Sequence, residues 1–291
     1  MDYNIINSPY LPKVKFEAIP IKDLISNQDY QRNLSEKHVM RAAANFDIHQ
    51  INPVKVSRRN GINYVFNGQH TMEIVATISG SRDTPVWCMV YEDLEYKVEA
   101  EIFANQQKYV KTLTPYEIFL AKIEAGSDKH LLIKDIVEQY NLELTYIPKP
   151  CGIMAVSALE SIYDKFGPEV LSRTLRLSIG AWEGNYLALG ANVLKGIARL
   201  LVVYKEEIND QVFAERLGNI SIKEIIRSAQ ERKGGVMGFA ESLALGYNNQ
   251  KKLPLNIHKL YDRSIIKEAT HVEDQIKDAF AKEAKVTDEQ N

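Results

Sequence analysis

Gly68-Gln69-His70-Thr71 is the run of this sequence best suited to chemistry. Glycine admits backbone conformations closed to other residues, and Gln, His and Thr each carry a hydrogen-bond donor. The run follows the apolar Tyr64-Val65-Phe66 and precedes Met72-Glu73-Ile74-Val75-Ala76, so it falls where a strand ends and a helix begins. A helix start gathers backbone N–H groups and the positive end of the helix dipole, and the chemistry it favours is anion binding, phosphate above all. His70 adds a second capacity, since imidazole exchanges protons near neutral pH. Glu73 is the nearby acid that a catalytic role would draw on. The plain alternative is an ordinary strand–turn–helix connection, with His70 bonded to nearby backbone and Glu73 complementing the dipole.

Such a turn needs a sheet behind it. Val14–Pro20 alternates like an edge strand, and Ile21–Ile25 reads as a helical turn. Ser35 caps a helix whose apolar positions Val39, Met40, Ala43 and Phe46 follow at helical spacing. Val54–Ser57 is a strand, and Asn60-Gly61 signals a hairpin leading back through Tyr64–Phe66. Arg58 and Arg59 are placed at the hairpin tip, read first as a solvated turn, with contact to nucleic-acid phosphate as the alternative. Val86–Tyr91 is the last strand, with Cys88 as an inert core thiol. These elements predict an α/β domain with a small mixed sheet over residues 1–112.

Beyond Leu94 the strand signal fades. Lys97–Gln107 is helical, Thr114-Pro115-Tyr116-Glu117 is a capping box, and Ile133–Tyr140, Ile153–Phe166, Pro168–Leu177, Leu187–Tyr204 and Ser221–Arg232 carry helical periodicity. An all-α domain is therefore expected over 113–250, followed by a polar, partly helical tail over 251–291 that includes a helix at Glu273–Lys285. A standard helix-turn-helix is not expected, because Asn141–Pro150 is too long for its turn and contains two prolines.

The 291 residues are 45% apolar and 25% charged, with a net charge of −2. That composition belongs to a globular protein, and it excludes the bulk basic field of a DNA-coating protein. The two cysteines form no metal motif. Neither a leader nor a membrane-spanning run is read, so a cytoplasmic protein without membrane contact is expected.

In order along the chain, Ile19-Pro20-Ile21-Lys22-Asp23-Leu24, Tyr30-Gln31-Arg32, Asn52-Pro53-Val54-Lys55-Val56 and the Tyr64–Ala76 turn resemble the ParB N-terminal/sulfiredoxin-like superfamily. Ala104-Asn105-Gln106-Gln107-Lys108 with Leu113-Thr114-Pro115-Tyr116-Glu117 is similar to that superfamily's segment E-N-x-Q-R-x-D-L-x-P-x-E. The resemblance spans about residues 14–125, and the helical remainder resembles ParB-like proteins of phage and mobile elements. It implies a nucleotide, CTP or ATP with Mg²⁺, held by its phosphates at the turn. Gly68, Gln69, His70, Thr71, Asn105, Lys108 and Arg32 would be the contacts, with Asn105 and Thr71 the candidate Mg²⁺ ligands.

The departures bear on catalysis. Thr71 replaces an arginine, which removes a bidentate phosphate clamp. Ala104 replaces the family's glutamate, with Glu101 one helical turn earlier, and Gln69 stands where sulfiredoxins carry their catalytic cysteine. The favoured expectation is a nucleotide-binding, DNA-associated protein in which the nucleotide controls DNA or partner binding or self-association into a homodimer. A nuclease, NTPase or small-molecule kinase on the same scaffold, and a protein-interaction module with a degenerate pocket, are the alternatives.

Overall fold

The computed structural model describes residues 13–26, 30–31, 33–92, 94–106, 108, 111–249 and 254–269. Arg32 and the helix expected at Glu273–Lys285 lie outside the described residues. The chain divides into two compact units between Thr112 and Leu113.

The first unit carries a five-stranded mixed sheet built from β1 (Val14–Pro20), β2 (Leu24–Ser26), β3 (Val54–Arg59), β4 (Ile62–Asn67) and β5 (Pro85–Glu92), in the order β1-β5-β3-β4-β2. Its helices are α1 (Glu36–Ala44), α2 (Gln69–Ser79) and α3 (Tyr96–Asn105). β3 and β4 form a hairpin across Asn60 and Gly61, both at positive φ (49° and 76°), as a tight two-residue turn requires. β5 runs antiparallel to β1 and parallel to β3, with Phe16 opposite Met89 and Val56 opposite Val90. β2 pairs parallel with β4.

Two local expectations change. Ile21–Ile25 is not one helical turn: a 3-10 turn at Ile21–Asp23 gives way to β2, because pairing with β4 holds Leu24 extended and buried. Arg58 and Arg59 are not at the hairpin tip but are the last residues of β3, with the tip at Asn60-Gly61.

Alternation builds the core. Val54, Val56, Val65, Val86, Cys88 and Val90 cluster with Met72 of α2, with Val75 and Ala76 packed against them. Burial pushes the Cys88 thiol pKa up to about 11. Val65 and Phe66 are neighbours in a strand, so they face opposite sides, yet both are fully buried. β4 is thus covered on both faces, and α3 packs against it. Covering both faces at the end of β4 gives the glycine turn its walls.

The second unit comprises α4 (Pro115–Glu124), α5 (Asp128–Gln139), β6 (Glu143–Leu144), β7 (Gly152–Ile153), α6 (Val156–Trp182), α7 (Ala191–Tyr204), α8 (Asp210–Gly218), α9 (Ile222–Arg232) and α10 (Gly235–Asn248). α6 is broken at Gly167 (φ 81°), immediately before Pro168. The stretch around Asn141–Pro150 is organised by a short parallel pair, Glu143 with Gly152 and Leu144 with Ile153. α8 and α10 carry no clear sequence signal. In α10 the reason is its glycines, which act as close-packing sites: a Cβ on Gly238 would lie 2.5 Å from the Ala229 carbonyl oxygen. The expected tail also needs correction over residues 254–261. Leu255 and Leu260 are buried in the helical core, and the Tyr204 hydroxyl donates to the Asn256 carbonyl at 2.8 Å. Among the described residues no helix is long and apolar enough to cross a membrane.

Candidate functional site

β4 ends at Asn67, and Gly68 turns the chain into α2 with φ 102°. Two constraints demand glycine here. The left-handed conformation penalises a Cβ, and a Cβ would sit 3.1 Å from the Val54 Cα across the sheet. No side chain caps α2. A glycine cap leaves satisfaction of the first turn to groups outside the helix, and an anion is one such group.

Over this turn lies a cleft of ≈ 170 Å³. Gln31, Asn67, Gly68, Gln69, His70 and Thr71 line it on one side, Phe103 and Gln106 on the other. Buried carboxamides shape it. Gln31 donates through Nε2 to the Val65 carbonyl, and Ser26 Oγ stands 3.2 Å from both Gln31 Oε1 and Gln69 Oε1, able to donate to one at a time. Asn67 Nδ2 donates to Gln106 Oε1 at 2.6 Å, joining the strand end to the residue that follows α3.

His70 Nε2 accepts the Ser35 backbone N–H at 3.3 Å, which places the proton of a neutral ring on Nδ1. Its ring stands edge-on to His38, with centroids 5.3 Å apart. His70 therefore links the start of α2 to the cap of α1. Thr71 also lines a neighbouring cavity of ≈ 270 Å³, whose wall combines Phe46, Ile51 and Ile74 with Asn45, Asp47 and Gln50.

Of the residues expected from sequence, the structure thus brings together Gly68, Gln69, His70 and Thr71. Asn105, Lys108 and Glu101 are exposed and are not among the residues lining the cleft. Glu73 points elsewhere, accepting from Arg82 at 2.9 and 3.0 Å. Arg58 is engaged by Glu17 at 3.0 and 2.6 Å and donates to Asn63 Oδ1 at 2.9 Å. Arg59 pairs with Glu99 at 3.0 Å and lies 4.5 Å over the Tyr64 ring. The two arginines offered as nucleic-acid contacts are therefore committed within the fold, because strand alternation and pairing carry them to internal partners.

Glu99 is the residue that sequence reasoning missed. Its side chain is 0% exposed, its Oε2 accepts the Tyr30 hydroxyl at 3.2 Å, and its Oε1 faces Arg59. Burial, and then the Glu99 charge, push the Tyr30 pKa above the ordinary tyrosine range. One signal was present: Glu99, Phe103 and Gln106 stand at i, i+4 and i+7, one face of α3. Among the described residues no group of three His, Cys, Asp or Glu side chains is placed to hold a metal ion. Of the two expected Mg²⁺ ligands, Thr71 lines the cleft and Asn105 does not.

Residues 25–256 match the model of a family described as "Family of unknown function (DUF6551)", and the chain belongs to that family. No curated protein matches the sequence. Among solved structures, the C-terminally truncated chromosome-partitioning protein ParB from Caulobacter crescentus, complexed with CTP-gamma-S, is similar at 15% identity. The likeness covers 85% of this chain and 99% of that one, with a TM-score of 0.32.

Proposed function

We propose that this DUF6551 member binds a nucleotide, with its phosphates on the Gly68 turn, and that occupancy controls association with DNA or a partner. The observation that carries this is the uncapped, left-handed glycine start of α2 opening into a polar cleft. The motif order of the sequence supports the same ligand class. The carboxamide and hydroxyl groups lining the cleft suit phosphate oxygens. The cavity of ≈ 270 Å³ that shares Thr71 offers an aromatic and carboxamide-lined place for the nucleoside. CTP and ATP with Mg²⁺ are the first ligands to try.

Binding is favoured over turnover. Glu73 is held by Arg82, Glu101 is outside the cleft, and His70 Nε2 already accepts a backbone N–H.

Thermal-shift titration with CTP, ATP, GTP and ADP, with and without Mg²⁺, tests the proposal. A ligand that binds only the folded chain raises the melting temperature by mass action. Thr71→Val and His70→Ala should reduce that rise while folding normally. If the wild type gives no rise with any nucleotide, the proposal fails. Gel shifts with plasmid DNA at two salt concentrations, with and without the ligand that binds, test control of DNA association.

A further inference from the structure

We infer that the buried Arg59–Glu99 pair, together with Tyr30, is the positioning element of the Gly68 cleft: it sets α3 so that Phe103 and Gln106 face the turn. The inference rests on the cleft being the ligand site.

The pair is a poor device for stability alone. Taking two charges from water costs several kcal/mol, and well-packed apolar residues of similar volume often do as well. Here the carboxylate is fully buried, and its Oε1, although 3.0 Å from Arg59 Nη1, makes no well-aligned hydrogen bond. What an ion pair supplies that an apolar contact does not is a defined place along a helix. Glu99 lies seven residues before Gln106, about 10 Å along the axis at the usual rise, on the same face.

Three connections carry its position to the cleft. Along α3, Glu99 fixes the face that presents Phe103 and Gln106, and Gln106 meets Asn67 beside Gly68. Through rings, Tyr30 packs on Phe103 at 5.6 Å and on Tyr96 at 5.7 Å, while its hydroxyl holds Glu99. Along the backbone, Tyr30 precedes Gln31, which is buried in the cleft wall and bonded to β4. Arg59 completes the arrangement from β3, its guanidinium held between the Tyr64 and Tyr96 rings at 4.5 and 5.8 Å. These are positioning residues, since none of Arg59, Glu99 and Tyr30 lines the cleft.

Amide hydrogen exchange on the full chain tests this without any ligand. Glu99→Gln should accelerate exchange at least tenfold at residues 68–72 and 103–106. Tyr30→Phe, which removes one bond to Glu99 and keeps the ring contacts, should act in the same direction by twofold to fivefold, and it serves if Glu99→Gln does not fold. Val86→Ala, a core change in β5 away from the cleft, should lower the melting temperature without a local increase at those amides. In parallel, titration with CTP and ATP in Mg²⁺ should show Kd raised at least tenfold in Glu99→Gln and unchanged in Val86→Ala. Unaltered exchange at the turn in the folded variants overturns the inference, as does a loosened turn with unchanged Kd. If the wild type binds neither nucleotide, the nucleotide proposal is what falls, and the exchange data still decide whether the pair positions the turn.

Discussion

Two helix starts in this chain are built in opposite ways. α4 begins with a closed capping box: Thr114 Oγ1 accepts the Glu117 N–H at 3.2 Å, and Glu117 Oε2 accepts the Thr114 N–H at 2.7 Å. α2 begins at a left-handed glycine with no side-chain cap, at the floor of a polar cleft. Four N–H groups at any helix start lack intrahelical partners. α4 meets part of that need from its own sequence, which stabilises the helix. α2 leaves the need to its surroundings, which is what the proposed anion site requires. The contrast separates a helix start completed by its own side chains from one that is not.

The strongest way to break the contrast is Gly68→Val. A β-branched residue at φ 102°, with its Cβ near 3.1 Å from the Val54 Cα, should cost about 3 kcal/mol or more, seen as a lowered denaturant midpoint of the first unit. A midpoint within experimental error of wild type would mean that the turn relaxes freely. Next comes His70→Ala with nucleotide. At a ligand concentration of ~100 Kd, wild type should gain ~2.7 kcal/mol, and the variant should lose most of that gain. Full retention would remove His70 from the binding groups. Thr114→Ala should then cost about 1 kcal/mol through loss of the cap, while the nucleotide-induced shift stays as in wild type. Loss of the shift in that variant would contradict the division of roles.

The smallest effect concerns pH. The hydrogen bond from Arg58 lowers the Glu17 pKa below its usual value of 4.5, against the opposing effect of burial. The stability this pair lends is complete above the unfolded glutamate range and disappears as pH falls through the lower folded value. Melting temperatures followed down from pH 6 should therefore drop less steeply in Glu17→Gln than in wild type. The difference should be slight, because both side chains are partly exposed, at 27% for Arg58 and 34% for Glu17, and solvent screens them. Parallel curves would show that the pair contributes nothing measurable.

Local chemistry was legible from residues alone wherever it depends on neighbours in sequence. The capping box at Thr114, the Ser35 cap, the Asn60-Gly61 hairpin and the Gly68 turn are all of that kind. Contacts between distant elements were not. The burial of Glu99 follows only from the docking of α3 on β4 and from Arg59, forty positions earlier, meeting it. β2 needed β4 to pair with before three residues could count as a strand. α10 was hidden because glycine opposes helix formation in isolation and favours it only where another backbone must come close. Asn105 and Lys108 sit in the expected motif, yet the turn of α3 directs Phe103 and Gln106 to the cleft instead.

The sequence by itself determined that a glycine turn joins a strand to a helix, and that an α/β region precedes a helical one. Those features follow from backbone preferences and from periodicities of two and 3.6 residues, which act over a few positions. Only the tertiary structure decided which side chains wall the turn, which charges meet internal partners, and which acid of α3 is buried. Those outcomes depend on strand order and helix docking, and neither is encoded at any single position.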